Sequence, residues 1–549
     1  TCFPAEVTTA SSWDDELLAE IGHAIGEEVK DQGVGLVLGP GANIKRNPLC
    51  GRNFEYFSED PYLAGKLAAG FIRGAEAEGI GTSLKHFAGN SQEKCRFNSN
   101  SIMDERTMRE IYLSAFEIAV KEGKPSTVMC AYPKLNGIHC SDNKELLDTI
   151  LRKEWGFDGM VVTDWGAMND RIEGFRAGCD LNMPGGSEYM EKVAVRAVKD
   201  GSLPEKNIDE SVRRILKLVF RANEVLKSDH ACDYAKHNEI ARKAAEQGAV
   251  LLKNEDGILP LSHTQRLAVI GSMAKSIRYQ GAGSSHINPK YLSQPLDYIK
   301  DAEFAMGCDE HGDTDDAMID KAVKVAEKAD AVIVFAGLPD RFESEGFDRD
   351  NMKLPQGHIR MIEEVARANK NTIVVLLSGC VVECEWADSV KAILYMGLPG
   401  QAGGEAIANL LYGKVNPCGK LAETWWSSYE DVPSSKIYGK TKDAVYEEGI
   451  YIGYRYCEKA GKKVRFPFGY GLSYTEFSYS DLQVTDHIVN VKVTNTGNVT
   501  GAEIVQMYIA APQDGIHRPV RELKGFKKVW LKPGESADVS FKLNERSFA

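Results

Sequence analysis

From residue 12 to about residue 185 the chain alternates two patterns of apolar positions. In SSWDDELLAEIGHAIGEEVKDQG, Leu17, Leu18, Ile21, Ala24, Ile25 and Val29 recur at helical spacing and form one apolar face. Ser12 is the expected N-cap, with Asp15 in the capping-box position and Gly33 as the stop. The run VGLVLGP follows, uniformly apolar and bounded by glycines, which predicts a buried strand. The alternation then repeats. LAGKLAAGFIRGAEAEG, ERTMREIYLSAFEIAVKEG, NKELLDTILRKEWG and NDRIEGFRAG read as helices; IGTSLKHF, STVMCAYP and GMVVTDWG read as strands. Strands apolar on both faces, separated by helices, predict parallel βα units. So many units over roughly 220 residues favour a closed barrel over an open sheet. No dinucleotide fingerprint follows the first strand, which removes the best argument for a Rossmann domain.

A second α/β region begins near Asn238. IARKAAEQGAVLLKNEDG reads as a helix leading into a loop, RLAVIG, ADAVIVFAG and NTIVVLLSG as short buried strands, and DDAMIDKAVKVAEKA as a helix between them. Residues 427–463 are rich in Tyr, Lys and Glu without clear periodicity and read as a long connection. After it the pattern becomes strictly alternating. HIVNVKVTNTGNVTGAEIVQMYIAA places Val489, Val491 and Val493 on one side and turns at NTGN, the signature of an antiparallel β-sandwich.

Composition narrows the partners. The 549 residues carry a net charge of −13 and no long basic run, which argues against nucleic acid or an anionic membrane as the main partner. No apolar stretch of about 18 residues exists to span a bilayer. The 12 cysteines are scattered without a CxxC pair, so neither a zinc site nor a dense disulfide framework is expected. They read as reduced core thiols; this favours a cytoplasmic setting while leaving localisation open, since TCFPAEVTTASSWDDE is not a signal peptide.

Active-site groups of a βα barrel project from the carboxyl ends of its strands. Those ends supply Lys85 and His86 in SLKHF, Tyr132 in MCAYP, and Asp164 and Trp165 in VVTDWG. Singly, each has an ordinary structural reading, such as a helix cap for Asp164 or a satisfied buried imidazole for His86. Together they place a carboxylate, cations and aromatic faces at one mouth, which suits a sugar. Glycoside hydrolysis typically needs two carboxyl groups, and the barrel region offers only one clear candidate. The loop RFESEGFDRD, after the strand AVIVFAG, is acidic enough to supply the second.

With these motifs in view the sequence resembles glycoside hydrolase family 3, the β-glucosidase family. The resemblance runs through GPGANIKRNPLCGRNFEYFSEDPYLAG, KHFAGNSQEKCR, VMCAYPKLNG, LRKEWGFDGMVVTDWG, ESEGFDR, NPCGKL, FPFGYGLSYT and RELKGFKKVWLKPGES, in that order, over nearly the whole chain. It implies a multidomain α/β fold: a (β/α)₈ TIM-like barrel at 1–225, an α/β sandwich at 226–428, a linker at 429–465 and a fibronectin-III-like β-sandwich at 466–549. It implies retaining double displacement without metal or other cofactor. Asp164 matches the nucleophile and Glu345 the general acid/base. Arg52, Lys85, His86, Arg96 and Tyr132 match the residues that hold sugar hydroxyls, and Trp165 lines the glycone subsite. In QGAGSSHINP, which lacks a Walker lysine, Ser284 or Ser285 is expected to touch substrate, with Ser285 preferred. Nearby cations such as Arg96 and Lys85 are expected to keep Asp164 ionised, and burial with a negative neighbour to keep Glu345 protonated. Glu343, Asp348 and Asp350 are left as loop-shaping or solvated charges.

The resemblance also implies departures from the family pattern. A segment with an Asp-Gly-Pro-like motif is expected before TCFP, and further strands after FKLNERSFA, so the first barrel strand and the end of the β-sandwich are expected to be missing. The expected substrate is a terminal β-D-glucoside or oligosaccharide. A β-xyloside or other β-glycoside, or a weakly active carbohydrate-binding remnant, are the alternatives. Homo-oligomerisation is left open.

Overall fold

The structure is a computed structural model that describes residues 1–227, 230–512 and 515–548. Near the amino terminus four parallel strands form one sheet in chain order: Leu36–Val37, Gly81–Phe87, Thr127–Cys130 and Met160–Thr163. A parallel bridge from Val162 to Leu181 extends it, and Leu36–Val37 forms its other edge. Among the described residues this TIM-like domain is therefore an open arc of barrel, not a closed one. Helices Asp15–Asp31, Pro61–Ala77 and Glu205–Val225 are among those that cover it. The cap of the first differs from the expected one. The Ser12 hydroxyl is spent on the Thr9 carbonyl, and Asp14 accepts from the Leu17 N–H instead at 3.0 Å.

The second sheet has six strands. Glu303–Ala305, Leu267–Ile270, Ala331–Gly337, Thr372–Leu377 and Ala392–Tyr395 are mutually parallel, and Val250–Asn254 closes one edge antiparallel. That edge strand lies where the sequence reads as a helix running into a loop. An apolar run of only three residues, Val250 to Leu252, so soon after a helix gives periodicity nothing to separate. Every residue of Ala331–Gly337 is buried, as a strand covered on both faces requires. Val332, Val334 and Ala336 point into the core that continues to the barrel, whereas Ile333 and Phe335 point into a separate core on the far face.

Residues 429–465 are not a loose connection. They contain the helix Gly453–Ala460, and Tyr438, Tyr446 and Tyr454 are buried in the shared core. Arg455 pairs with Asp60 at 2.8 Å, tying this segment to the first domain. The β-sandwich comprises Phe477–Val484, Ile488–Asn495 and Ser536–Lys542 in one antiparallel sheet and Gly501–Ile509 with Glu522–Leu531 in another. Val489, Val491 and Val493 face its small core, as their alternation requires. All 12 cysteines are free thiols, most of them buried.

Candidate active site

The polar residues at the carboxyl ends of the barrel strands converge. Lys85 and His86 close Gly81–Phe87, Tyr132 follows Thr127–Cys130, and Asp164 and Trp165 follow Met160–Thr163. Arg52 joins them from the loop before the Asn53–Glu55 turn. Asp164 Oδ1 accepts from the Trp165 N–H at 2.8 Å. Its Oδ2 lies 4.0 Å from Arg52 Nη1 and 3.6 Å from His86 Nε2 and, among the described residues, takes no hydrogen bond. That orphaned oxygen is the free end of a fixed carboxylate.

Glu345 comes from the other domain. The Ala331–Gly337 strand ends and its carboxyl-terminal loop swings over the barrel mouth, the usual place for function in a parallel sheet. Glu345 Oε1 accepts from Arg96 Nη1 at 2.9 Å and lies 3.6 Å from Arg52 Nη1. Its Oε2 accepts from the Ser284 N–H at 2.8 Å and from the Ser284 hydroxyl. One guanidinium nitrogen of Arg52 thus stands between the two carboxyls. Gly283 permits this approach: its φ is +109°, and a Cβ there would sit 2.5 Å from Glu345 Cβ. Ser284, rather than Ser285, holds the carboxyl; Ser285 is exposed and lines a neighbouring cleft.

Both carboxyls are shifted in the direction opposite to the one expected from sequence. Burial of Asp164 outweighs Arg52, the Trp165 N–H, the Tyr132 hydroxyl and Lys85, so its pKa is raised. Burial also pushes Glu345 up, but Arg52, the two Ser284 donors and Arg96 outweigh it, and its pKa is lowered to about 2. Glu345 is thereby held as an anion among cations. His86 is not one of those cations. Burial, reinforced by Arg52, Lys85 and Arg96, lowers its pKa well below the usual imidazole value, so it meets Asp164 as a neutral ring.

Two carboxylates that sequence reasoning passed over hold the cations in place. Glu55 is buried and pairs with Arg52 through Nε and with Lys85 Nζ at 3.5 Å. Burial opposes its charge, but Arg52 and Lys85 prevail and its pKa is lowered. Glu93 accepts from Arg96 Nη1 at 2.7 Å and from the Gly346 N–H at 2.8 Å, so it aligns Arg96 with the residue next to Glu345. No spacing marks either residue; only the fold shows what they face. Tyr132 and Phe97 pack with their rings tilted by 59° and centroids 4.5 Å apart, Arg96 lies over the Tyr132 ring, and Trp165 is 41 % exposed at the mouth.

Two domains that each contribute one carboxyl to a shared site agree with what the chain matches. Residues 1–218 match the glycosyl hydrolase family 3 N terminal domain, 249–474 the family 3 C-terminal domain, and 503–549 the fibronectin type III-like domain. Thermostable beta-glucosidase B of Acetivibrio thermocellus is 49% identical over 100% of this chain and 75% of its own length. The chain belongs to glycoside hydrolase family 3. It is an enzyme of the glycoside hydrolase class, with the multidomain α/β fold of that family. The Bifidobacterium breve exo-alpha-(1->6)-L-arabinopyranosidase is 44% identical over 100% of this chain and 75% of its own length. Among solved structures, the Bifidobacterium adolescentis GH3 beta-glucosidase superposes with a TM-score of 0.97 at 43% identity, covering 100% of this chain and 83% of that one. Beta-glucosidase 3B of Thermotoga neapolitana, solved in complex with glucose, gives 0.93 at 38% identity, covering 99% and 83%. The 429–465 segment, with its helix and buried tyrosines, falls inside the family 3 C-terminal match.

Proposed function

We propose that this family 3 enzyme is a retaining, exo-acting β-glucosidase that removes terminal non-reducing β-D-glucosyl residues by double displacement. Asp164 Oδ2 attacks the anomeric carbon while Glu345 gives its proton to the departing oxygen, which leaves a glycosyl ester on Asp164 and a free alcohol. Glu345, now a carboxylate, takes a proton from water, whose oxygen displaces Asp164 and restores both groups. Arg52, Lys85, His86, Arg96 and Tyr132 hold sugar hydroxyls, and Trp165 offers a face to the ring.

The observation that carries this reading is that carboxyls from two domains share the Arg52 guanidinium, with Asp164 Oδ2 left without a hydrogen-bond donor. The low pKa of Glu345 adds a requirement. Glu345 becomes an acid only when substrate draws Arg96 and Arg52 onto its own hydroxyls and covers the carboxyl, since both changes favour the protonated form. Substrate binding therefore arms the acid.

The L-arabinopyranosidase relative at 44% identity favours a second glycone, a terminal L-arabinopyranosyl residue. A panel of nitrophenyl glycosides assayed with wild type, Asp164→Ala and Glu345→Ala tests the reading. The β-glucoside is expected to be hydrolysed fastest, Asp164→Ala to lose at least about 10³-fold, and Glu345→Ala roughly 10²–10⁴-fold on substrates that need a proton. Equal residual rates in all three proteins would rule out this pair.

A further inference from the structure

The loop carrying Glu345 makes no helix or strand of its own beyond a bridge between Ser344 and Phe347. Its position is set from outside. Asp348, three residues after Glu345, accepts hydrogen bonds through Oδ1 from the N–H groups of Gly51 at 3.2 Å and Glu93 at 2.9 Å, with the Tyr438 hydroxyl at 3.1 Å. Its Oδ2 accepts from the Lys94 N–H at 2.9 Å. The next residue, Arg349, donates its N–H to the Leu49 carbonyl at 2.8 Å. The two barrel segments it grips, 49–51 and 93–94, run directly into Arg52 and Arg96, the cations on Glu345. The join is close. A Cβ on Gly51 would lie 1.8 Å from the Phe347 carbonyl oxygen, so the segments meet backbone to backbone.

We propose that Asp348 is a positioning residue: its carboxylate fastens the Glu345 loop to the barrel segments bearing Arg52 and Arg96, and so holds the acid/base carboxyl in register with Asp164. Among the described residues, both oxygens are met only by donors. A side chain that presents an amide N–H₂ there opposes a backbone N–H and opens the join. This inference rests on Glu345 serving as the acid.

The test is leaving-group dependence. A dinitrophenolate departs without a proton, whereas a phenolate of ordinary acidity needs one, so a displaced acid harms only the second substrate. For Asp348→Asn, kcat/KM on phenyl β-glucoside is expected to fall at least about ten-fold more than on dinitrophenyl β-glucoside. Equal loss on both substrates, as reduced folding would give, or no loss, overturns the proposal. Glu345→Ala is the control. If it shows no such bias, the acid/base reading itself fails, and the proposal with it; if only Asp348→Asn lacks the bias, the positioning role alone fails. Should Asp348→Asn not fold, Tyr438→Phe, which removes one partner of Oδ1, must show the same bias at several-fold, and its absence overturns the proposal. Hydrogen exchange gives a readout apart from activity. Faster exchange confined to residues 91–96 and 341–350 in the variant supports the fastening, and unchanged exchange there contradicts it.

Discussion

Glu345 shows why a residue's type does not give its charge state. Its place in SEGFDR makes it the expected acid, yet Arg52, Ser284 and Arg96 hold it ionised. Those groups lie far away in sequence and arrive only through folding, so nothing in the local sequence revealed them. Asp164 is the mirror case: VVTDWG marked it, but its burial did not show. The sign of Glu345's contribution to stability follows. Its folded pKa, about 2, lies below the ordinary glutamate value of 4.5, so the ionised form stabilises the fold above pH 4.5 and that gain is lost as pH falls toward 2. Glu345→Gln is therefore expected to be less stable than wild type near neutral pH, with the gap narrowing below pH 4.5. Denaturant midpoints at several pH values check it; a gap that widened on acidification would reverse the sign. Of the acidic neighbours in this loop, Glu343 is buried on the Gly379 N–H and the Cys380 thiol, Asp348 grips the barrel, and Asp350 is exposed.

At the scale of elements, the sequence was legible wherever an apolar run was long and bounded. Ala331–Gly337 and Thr372–Leu377 are such runs, and their burial on both faces matches their composition. Boundaries and short pieces were not. Val250–Asn254 hides behind a helix, Leu36–Val37 is far shorter than VGLVLGP suggests, and the aromatic 429–465 segment packs through tyrosines that follow no period. Caps turn on single contacts, as Asp14 in place of Ser12 shows. Asp14→Ala should cost about 1 kcal/mol by removing the acceptor for the Leu17 N–H, whereas Ser12→Ala should cost less. Chemical denaturation of both variants decides between the two caps.

At the scale of the whole molecule, the site exists because two domains are held in register. Besides Asp348, the buried pair Lys45 to Glu423, at 2.8 Å, joins the first domain to the chain just after the six-stranded sheet. Glu423→Ala strands a buried ammonium, and a loss of roughly 3–5 kcal/mol is expected in denaturant titration. A loss below about 1 kcal/mol would show that water reaches Lys45. The domain order was legible from changes of pattern along the chain; the contacts that set its register were not, because each joins residues hundreds of positions apart.

The proposed chemistry has Asp164 attack the sugar while Glu345, brought from the second domain, serves as the acid. Incubation with an activated 2-deoxy-2-fluoro-β-glucoside, whose fluorine slows release of the glycosyl-enzyme, followed by proteolysis and peptide mass spectrometry, tests it most directly. A single fluoroglucosyl adduct is expected on the peptide containing Asp164, absent in Asp164→Ala and formed at near wild-type rate in Glu345→Ala when the leaving group is dinitrophenolate. An adduct on another carboxylate, or turnover of the ordinary β-glucoside with inversion at the anomeric carbon, would contradict it.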